Sequence, residues 1–328
     1  MLKYLIISFC LILNIAQAQE KLNIVASASM ISDMAEQIIG PLHDVQMIVP
    51  IGGDPHLHEP TPSNARMVAS ADLVLINGLT FEGWITELID NSGTSASIIT
   101  VTKGTQPLTS QTYKNSADPH AWMDVSNALV YVDNIAQAMI QLDPENATSY
   151  EERLANYKAE LTALDKEIET TIQSIPEQQR ILITSHDAFQ YYGKKYGIRL
   201  EAIIGISTEA QAQTADIKRV NKVIREQGVP AIFIESTINP KMMQQLAQDN
   251  KISIGGKLYA DSLGDKDSPA STYVDMMRYN TETIAAALKQ TVQIDDAEHK
   301  NTTNYNFIIG LGVVLLLGLG LAIYLSNR

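Results

Sequence analysis

The chain has one cysteine, Cys10, and it lies in an apolar run near the amino end. That run has the marks of a secretory signal. Lys3 supplies the positive start, Tyr4 to Ile15 is apolar, and Ala16-Gln17-Ala18 is a small-x-small cleavage site. Residues 1–18 are expected to be removed, and Cys10 with them. Cys10 does not stand just after the cleavage point, where a lipid-attachment cysteine would have to be. A mature chain without thiols excludes disulfides and thiolate metal sites. Positive charge is also scarce. Lys and Arg number 24 against 37 Asp and Glu, a net charge of −13, which argues against a nucleic-acid partner. No His-Glu-x-x-His motif occurs, so the usual zinc-protease helix is absent.

A second apolar run stands at the other end. Phe307 to Leu325 holds no charge and is about long enough for one membrane crossing. A polar stretch with Asp295, Asp296 and Glu298 precedes it, and Arg328 follows. The expectation is a secreted protein tethered by residues 293–306 to a transmembrane helix at 307–325. The short tail with Arg328 would then be inside.

Between these ends, strands and helices alternate. Strands are expected at Leu22–Ala26, Val45–Val49, Leu73–Ile76 and Ser97–Val101, with helices at Ser29–Ile39, Thr61–Ser70 and Phe81–Ile89 between them. A helix follows at Val125–Leu142. From Glu145 to Ile175 there is no Gly or Pro, and Tyr150, Leu154, Tyr157, Leu161, Leu164, Ile168, Ile172 and Ile175 recur at steps of three and four. Such a stripe predicts one helix of roughly 45 Å, a strut between two lobes. After Pro176 the alternation resumes, with strands near 180–184, 200–204, 231–235 and 252–254 and helices near 187–196, 215–227, 240–248 and 271–289. The fold class is therefore α/β, with two parallel-sheet lobes joined by one long rigid helix. The boundaries read 19–144 for the first lobe, 145–175 for the connecting helix and 176–292 for the second lobe.

In parallel sheets, ligands bind beyond the carboxyl ends of strands. His56 stands there, in the Gly- and Pro-rich loop Gly52–Pro62, whose stiffness aims a side chain at little entropic cost. Its frame Asp54-Pro55-His56 recurs as Asp118-Pro119-His120 in another loop. His186 closes the first strand of the second lobe, and Asp261 follows a late one. Three imidazoles and a carboxylate suit zinc, manganese or ferrous iron. His43 and His299 are expected to be solvated, and His58 to point away from His56. Glu59, Asp187 and Glu235 are candidates for holding ring N–H groups. Asp54 and Asp118 are expected to shape their turns.

These residues carry a resemblance. Asp54-Pro55-His56 with Glu59-Pro60-Thr61-Pro62, Asn77-Gly78-Leu79, Asp118-Pro119-His120-Ala121-Trp122-Met123, Thr184-Ser185-His186-Asp187 and Asp261-Ser262-Leu263-Gly264 resemble the zinc- and manganese-binding receptors of metal ABC importers (the bacterial adhesin lipoprotein family). The resemblance runs from about residue 21 to 292. It implies a helical-backbone metal receptor, with His56, His120, His186 and Asp261 as ligands between the lobes. It also implies Zn2+ or Mn2+ as the transported ion, with Fe2+ admissible, and an ABC permease as partner to a monomer. His186 at the third position leans toward zinc or a mixed zinc/manganese site. Two departures stand out: there is no lipid-anchor cysteine, and the 103–117 loop lacks the histidines of zinc-dedicated relatives. Two other readings are an adhesin with a structural metal, which would leave metal uptake unaffected by gene deletion, and a metallohydrolase, which would turn over substrate in proportion to metal.

Overall fold

The structure, a computed structural model, describes residues 21–109, 117–209 and 211–290. The first strand, β1 (Asn23–Ala26), is buried at every position after Asn23. A strand dry on both faces needs helices on both, as parallel sheets have. Around it the chain lays α1 (Ser29–Ile39), β2 (Asp44–Met47), α2 (Pro62–Ala69), β3 (Leu73–Ile76), α3 (Ile85–Ser92) and β4 (Ser97–Thr100). The four strands are all parallel, in the order β2-β1-β3-β4, with Ile24 opposite Val45 on one side and Leu73 on the other. The winding reverses between β1 and β3, so the loops beyond the strand ends diverge there and leave a crevice. Thr61 starts α2 with a reciprocal cap, its hydroxyl accepting from Asn64 N–H while the Asn64 side chain accepts from Thr61 N–H.

The helix α4 (Val125–Leu142) is capped by Asp124, whose carboxylate accepts from Ser126 N–H. It leads through a single 3-10 turn into α5 (Ala147–Gln173), 27 residues or about 40 Å long. Seven residues of the anticipated stripe are buried and Leu154 is partly so. The stripe packs on α1 and α4 and continues to the later helices α6 (Gln190–Tyr196) and α9 (Tyr273–Leu288). One continuous apolar core therefore runs from α1 through α5 to α9.

Beyond α5 come β5 (Ile181–Thr184), β6 (Arg199–Ala202), α7 (Thr214–Gln227), β7 (Ala231–Glu235), α8 (Lys241–Asn250) and β8 (Ser253–Leu258). They form two parallel ladders, β5 with β6 and β7 with β8, and β5 packs beside β7. The architecture is α/β with parallel sheets, as the alternation implied. Local differences have clear causes. β8 runs on past the Gly255-Gly256 pair because the ladder absorbs a register shift at Ile232/Phe233, where Gly255 lets the Phe233 ring approach a would-be Cβ to 2.8 Å. α3 starts four residues later than expected because Gly78, Leu79 and Thr80 all take positive φ and turn the chain first. No helix among the described residues is long and apolar enough to cross a membrane. The expected signal segment 1–18, tether 293–306 and span 307–325 lie outside the described residues, as does His299.

Candidate metal centre

The four residues singled out from the sequence come together. One ligand atom from each of His56, His120, His186 and Asp261 lies within 4.8 Å of all the others, and all four side chains are buried. His56 follows β2, His120 stands in the loop beyond β4, His186 follows β5 and Asp261 follows β8. Each therefore sits beyond the carboxyl end of a parallel strand, two from the part before α5 and two from the part after it.

Two rings are oriented by carboxylates behind them. Asp118 Oδ1 accepts from His120 N–H at 3.0 Å and meets His120 Nδ1 at 2.7 Å. Glu235 Oε1 accepts from the N–H groups of Ser185 and His186 at 2.7 and 3.0 Å, while its Oε2 lies 2.5 Å from His186 Nδ1. With a carboxylate beside Nδ1, each ring turns Nε2 inward. His186 Nε2 lies 3.0 Å from Asp261 Oδ2, His120 Nε2 lies 3.3 Å from Asp261 Oδ1, and His56 Nε2 lies 3.3 Å from His120 Nε2. Yet both Asp261 oxygens, both ring nitrogens of His186 and Glu235 Oε2 are buried without a hydrogen bond of acceptable angle. Atoms this close that do not point at one another fit ligands arranged about a shared centre. Leaving such groups unsatisfied in a dry interior is costly. A divalent cation would satisfy His186 Nε2 and the Asp261 oxygens together, and a donor set of three nitrogens and one oxygen suits zinc and manganese.

The electrostatics agree. Burial pushes the Asp261 carboxyl up, but the close approach of His186 and His120 outweighs it and holds the group well below the usual carboxylate range. Burial pushes His186 down, and Glu235 and Asp261 more than reverse this, so its pKa is raised well above the ordinary value. Burial likewise lowers His120, but Asp118 and Asp261 bring it up to about 9. His56 is left lowered to about 3, because burial dominates and only Asp261 pulls the other way. Thus the metal-free cluster holds extra protons on His120 and His186 and none on His56 at neutral pH.

An aromatic floor supports the rings. Phe81 meets His56 edge-on with centroids 5.0 Å apart, and Trp122 lies under both Phe81 and His120. Trp122 Nε1–H donates to Ala260 O at 3.2 Å, tying the floor to the segment that carries Asp261. The Asn77-Gly78-Leu79 motif has a structural part. Asn77 Nδ2–H donates to Pro119 O at 2.9 Å and bridges the strand end to the His120 loop. Buried Glu82 accepts from Ser27 Oγ and from the N–H groups of Asn77 and Gly78.

The expectations about neighbours divide. Glu235 holds a ring nitrogen, whereas Asp187 accepts from Gln190 and Glu59 is exposed at the surface. Asp118 does more than shape its turn, since it also holds the His120 ring. The Asp-x-His spacing was the signal for this, and the identical spacing in Asp54-Pro55-His56 masked it. Asp54 Oδ1 accepts from the His56 backbone N–H at 2.9 Å, and no contact links Asp54 to the ring. His58 is turned aside, facing Asn64 Oδ1 with its ring tilted against Trp84, centroids 4.9 Å apart. His43 is not solvated: it is buried, with Nδ1 accepting from Leu22 N–H and Nε2 3.0 Å from Asp143 Oδ2. Because Nδ1 accepts, Nε2 carries the proton and donates, so His43 pins the start of β1 to the end of α4.

Comparison with known proteins follows the same line. Residues 24–287 match the family described as zinc-uptake complex component A, periplasmic (ZnuA). The chain belongs to this family. Among similar proteins, the metal ABC transporter substrate-binding lipoprotein SsaB of Streptococcus sanguinis is 35% identical over 283 residues, covering 84% of this chain and 92% of that protein. The manganese ABC transporter substrate-binding lipoprotein PsaA of Streptococcus anginosus is 34% identical over 283 residues, with the same coverage. Among solved structures, the periplasmic zinc-binding protein TroA of Treponema pallidum superposes with a TM-score of 0.79 at 30% identity. It covers 83% of this chain and all of that one.

Proposed function

We infer that this protein is the extracytoplasmic receptor of an ABC importer, capturing Zn2+ or Mn2+ as cargo and passing it to a membrane permease. The observation that carries the inference is the buried meeting of His56, His120, His186 and Asp261 within 4.8 Å, drawn from four strand ends. Family membership supports it, as do relatives named for manganese transport and for zinc binding. The chain is a binding protein and not an enzyme. Four protein donors close a tetrahedral site, whereas a catalytic metal keeps one position open for water or substrate.

The residues divide the work. Three imidazoles and Asp261 take the cation, Asp118 and Glu235 fix the tautomers of His120 and His186, and Phe81 and Trp122 exclude water. Charge is also conserved across capture. Asp118, Glu235 and Asp261 face two ring protons when the site holds no metal, and one divalent ion replaces those protons. Such a donor set favours zinc over manganese in isolation, so cargo is set by supply as well as affinity. The two lobes joined by α5 would frame the site. The 307–325 segment would serve as the membrane tether where relatives named as lipoproteins use a lipid; deleting 307–328 should release the protein from membranes.

The test is the zinc and manganese content of a deletion strain grown with each metal limiting. The reading predicts loss of one metal, restored by the wild-type gene and not by His56→Ala. Unchanged content of both would overturn it.

A further inference from the structure

His56 differs from the other three site residues in how it is held. His120 and His186 are wholly inaccessible and Asp261 is 1% exposed, whereas His56 is 8% exposed. Among the described residues, neither a carboxylate nor any other hydrogen-bond partner holds its Nδ1. Its loop and the Phe81 ring, edge-on at 5.0 Å, orient it. That loop reaches the surface on either side, at Ile51 and Leu57, which makes His56 the site residue nearest solvent.

Two hydrogen bonds fasten this loop to the part of the molecule beyond α5. Thr208 Oγ1–H donates to Asp54 Oδ2 at 2.7 Å, and Gly52 N–H donates to Ser262 Oγ at 2.7 Å. Trp84 Nε1–H holds Pro55 O at 2.8 Å from the loop's own side. Asp54 is thus bifunctional: one oxygen fixes the His56 backbone, and the other reaches a residue 154 positions away in sequence. Ser262, next to Asp261, ties the loop to the segment that supplies the carboxylate.

We propose that Asp54 and Thr208 form a latch that positions His56 and sets the rate at which cargo leaves the site. Asp54 and Thr208 are positioning residues, since neither is among the four converging donors. The proposal rests on the metal-receptor reading above. With the latch made, His56 stays over the cluster. With it broken, the loop keeps only the Ser262 and Trp84 ties, the ring swings out, and a three-donor site releases its ion. A hydrogen bond to a carboxylate is among the stronger ones in a protein. Its loss should therefore raise the dissociation rate about tenfold or more.

The experiment loads the full chain with Zn2+ and follows transfer to excess chromophoric chelator by stopped flow. Wild type, Thr208→Val and Thr208→Ser are compared, together with the thermal midpoints of the metal-free proteins. The latch predicts faster zinc loss from Thr208→Val by about tenfold or more, a wild-type rate for Thr208→Ser, and unchanged metal-free midpoints. Equal rates for wild type and Thr208→Val would overturn the latch and leave the receptor reading standing. A lowered metal-free midpoint that tracks the rate would reduce Thr208 to a structural role. Failure of wild type to bind one zinc ion would instead overturn the receptor reading, and the latch with it.

Discussion

His120 takes its orienting carboxylate from two residues away in its own loop, whereas His186 takes its partner from a strand 49 residues further on. The part before α5 builds its imidazoles into stiff Asp-Pro-His loops. The part after α5 places a ring and a carboxylate at strand ends and supports them through tertiary contacts. The contrast teaches that one cluster of candidate ligands can rest on two kinds of order. Local order survives wherever the loop survives. Tertiary order needs β5 and β7 to lie side by side.

The comparison predicts what should break first. Replacing a ring from either part, by His120→Ala or His186→Ala, should lower zinc affinity by more than about 100-fold, because loss of a mere supporting partner already costs 10–100-fold. Competition titrations against a chelator of known affinity would measure it, and an unchanged isotherm for either variant would remove that residue from the site.

Acid should break both parts together. In the metal-free protein His120, at about 9, and His186, raised well above its ordinary value, both hold protons at pH 7. A metal needs those lone pairs, so binding expels about two protons and apparent affinity rises with pH. Where both rings are protonated in the metal-free protein, the expected slope is about a hundredfold per pH unit, with affinity lost on the acid side. Titrations at pH 6 and pH 7 would show it, and equal affinities would contradict the paired-proton account.

Removing the supporting carboxylates sharpens the contrast. Asp118→Asn and Glu235→Gln should each weaken binding by about 10–100-fold. Removing the acceptors altogether separates them: Glu235→Ala should lower the metal-free thermal midpoint more than Asp118→Ala, because Glu235 accepts two backbone N–H groups at the end of β5 and Asp118 accepts one. Equal midpoints would mean that the two supports are not different in kind.

The smallest effect concerns the seam between the parts. Asp33 on α1 accepts from Tyr273 N–H at the start of α9, and its pKa is raised to about 6, chiefly by burial. A carboxyl whose folded pKa lies above its unfolded value binds protons more tightly when folded. Its favourable contribution is complete below pH 4 and is lost as pH rises through 6. Asp33→Asn, which keeps an acceptor for Tyr273, should therefore stabilise the protein at pH 7 by about 3 kcal/mol and leave it nearly unchanged near pH 4. Denaturant unfolding at the two pH values would decide, and equal changes at both would contradict the linkage.

The same contrast explains what could be read from the sequence. The alternation of strands and helices, the long apolar stripe of α5 and the positions of His56, His120, His186 and Asp261 are written in local composition and spacing. Glu235 could be picked out only as one of several acidic residues near strand ends, since nothing local says that β7 lies beside β5. Asp118 was obscured by its own repeat, because the two Asp-Pro-His loops look alike and use their aspartates differently. His43 was misread for the opposite reason. It stands in a polar stretch, and its burial depends on Asp143, 100 residues away. The split of the second group of strands into two ladders likewise follows from pairing, which composition does not encode.

The most direct test of the account is anomalous diffraction from crystals of the zinc-loaded protein at the zinc absorption edge, repeated with manganese. The account predicts one peak per chain, bonded to the Nε2 atoms of His56, His120 and His186 and to the Asp261 carboxylate, with no open position. A peak elsewhere, or one at this cluster that leaves any of these four residues unbonded, would contradict it.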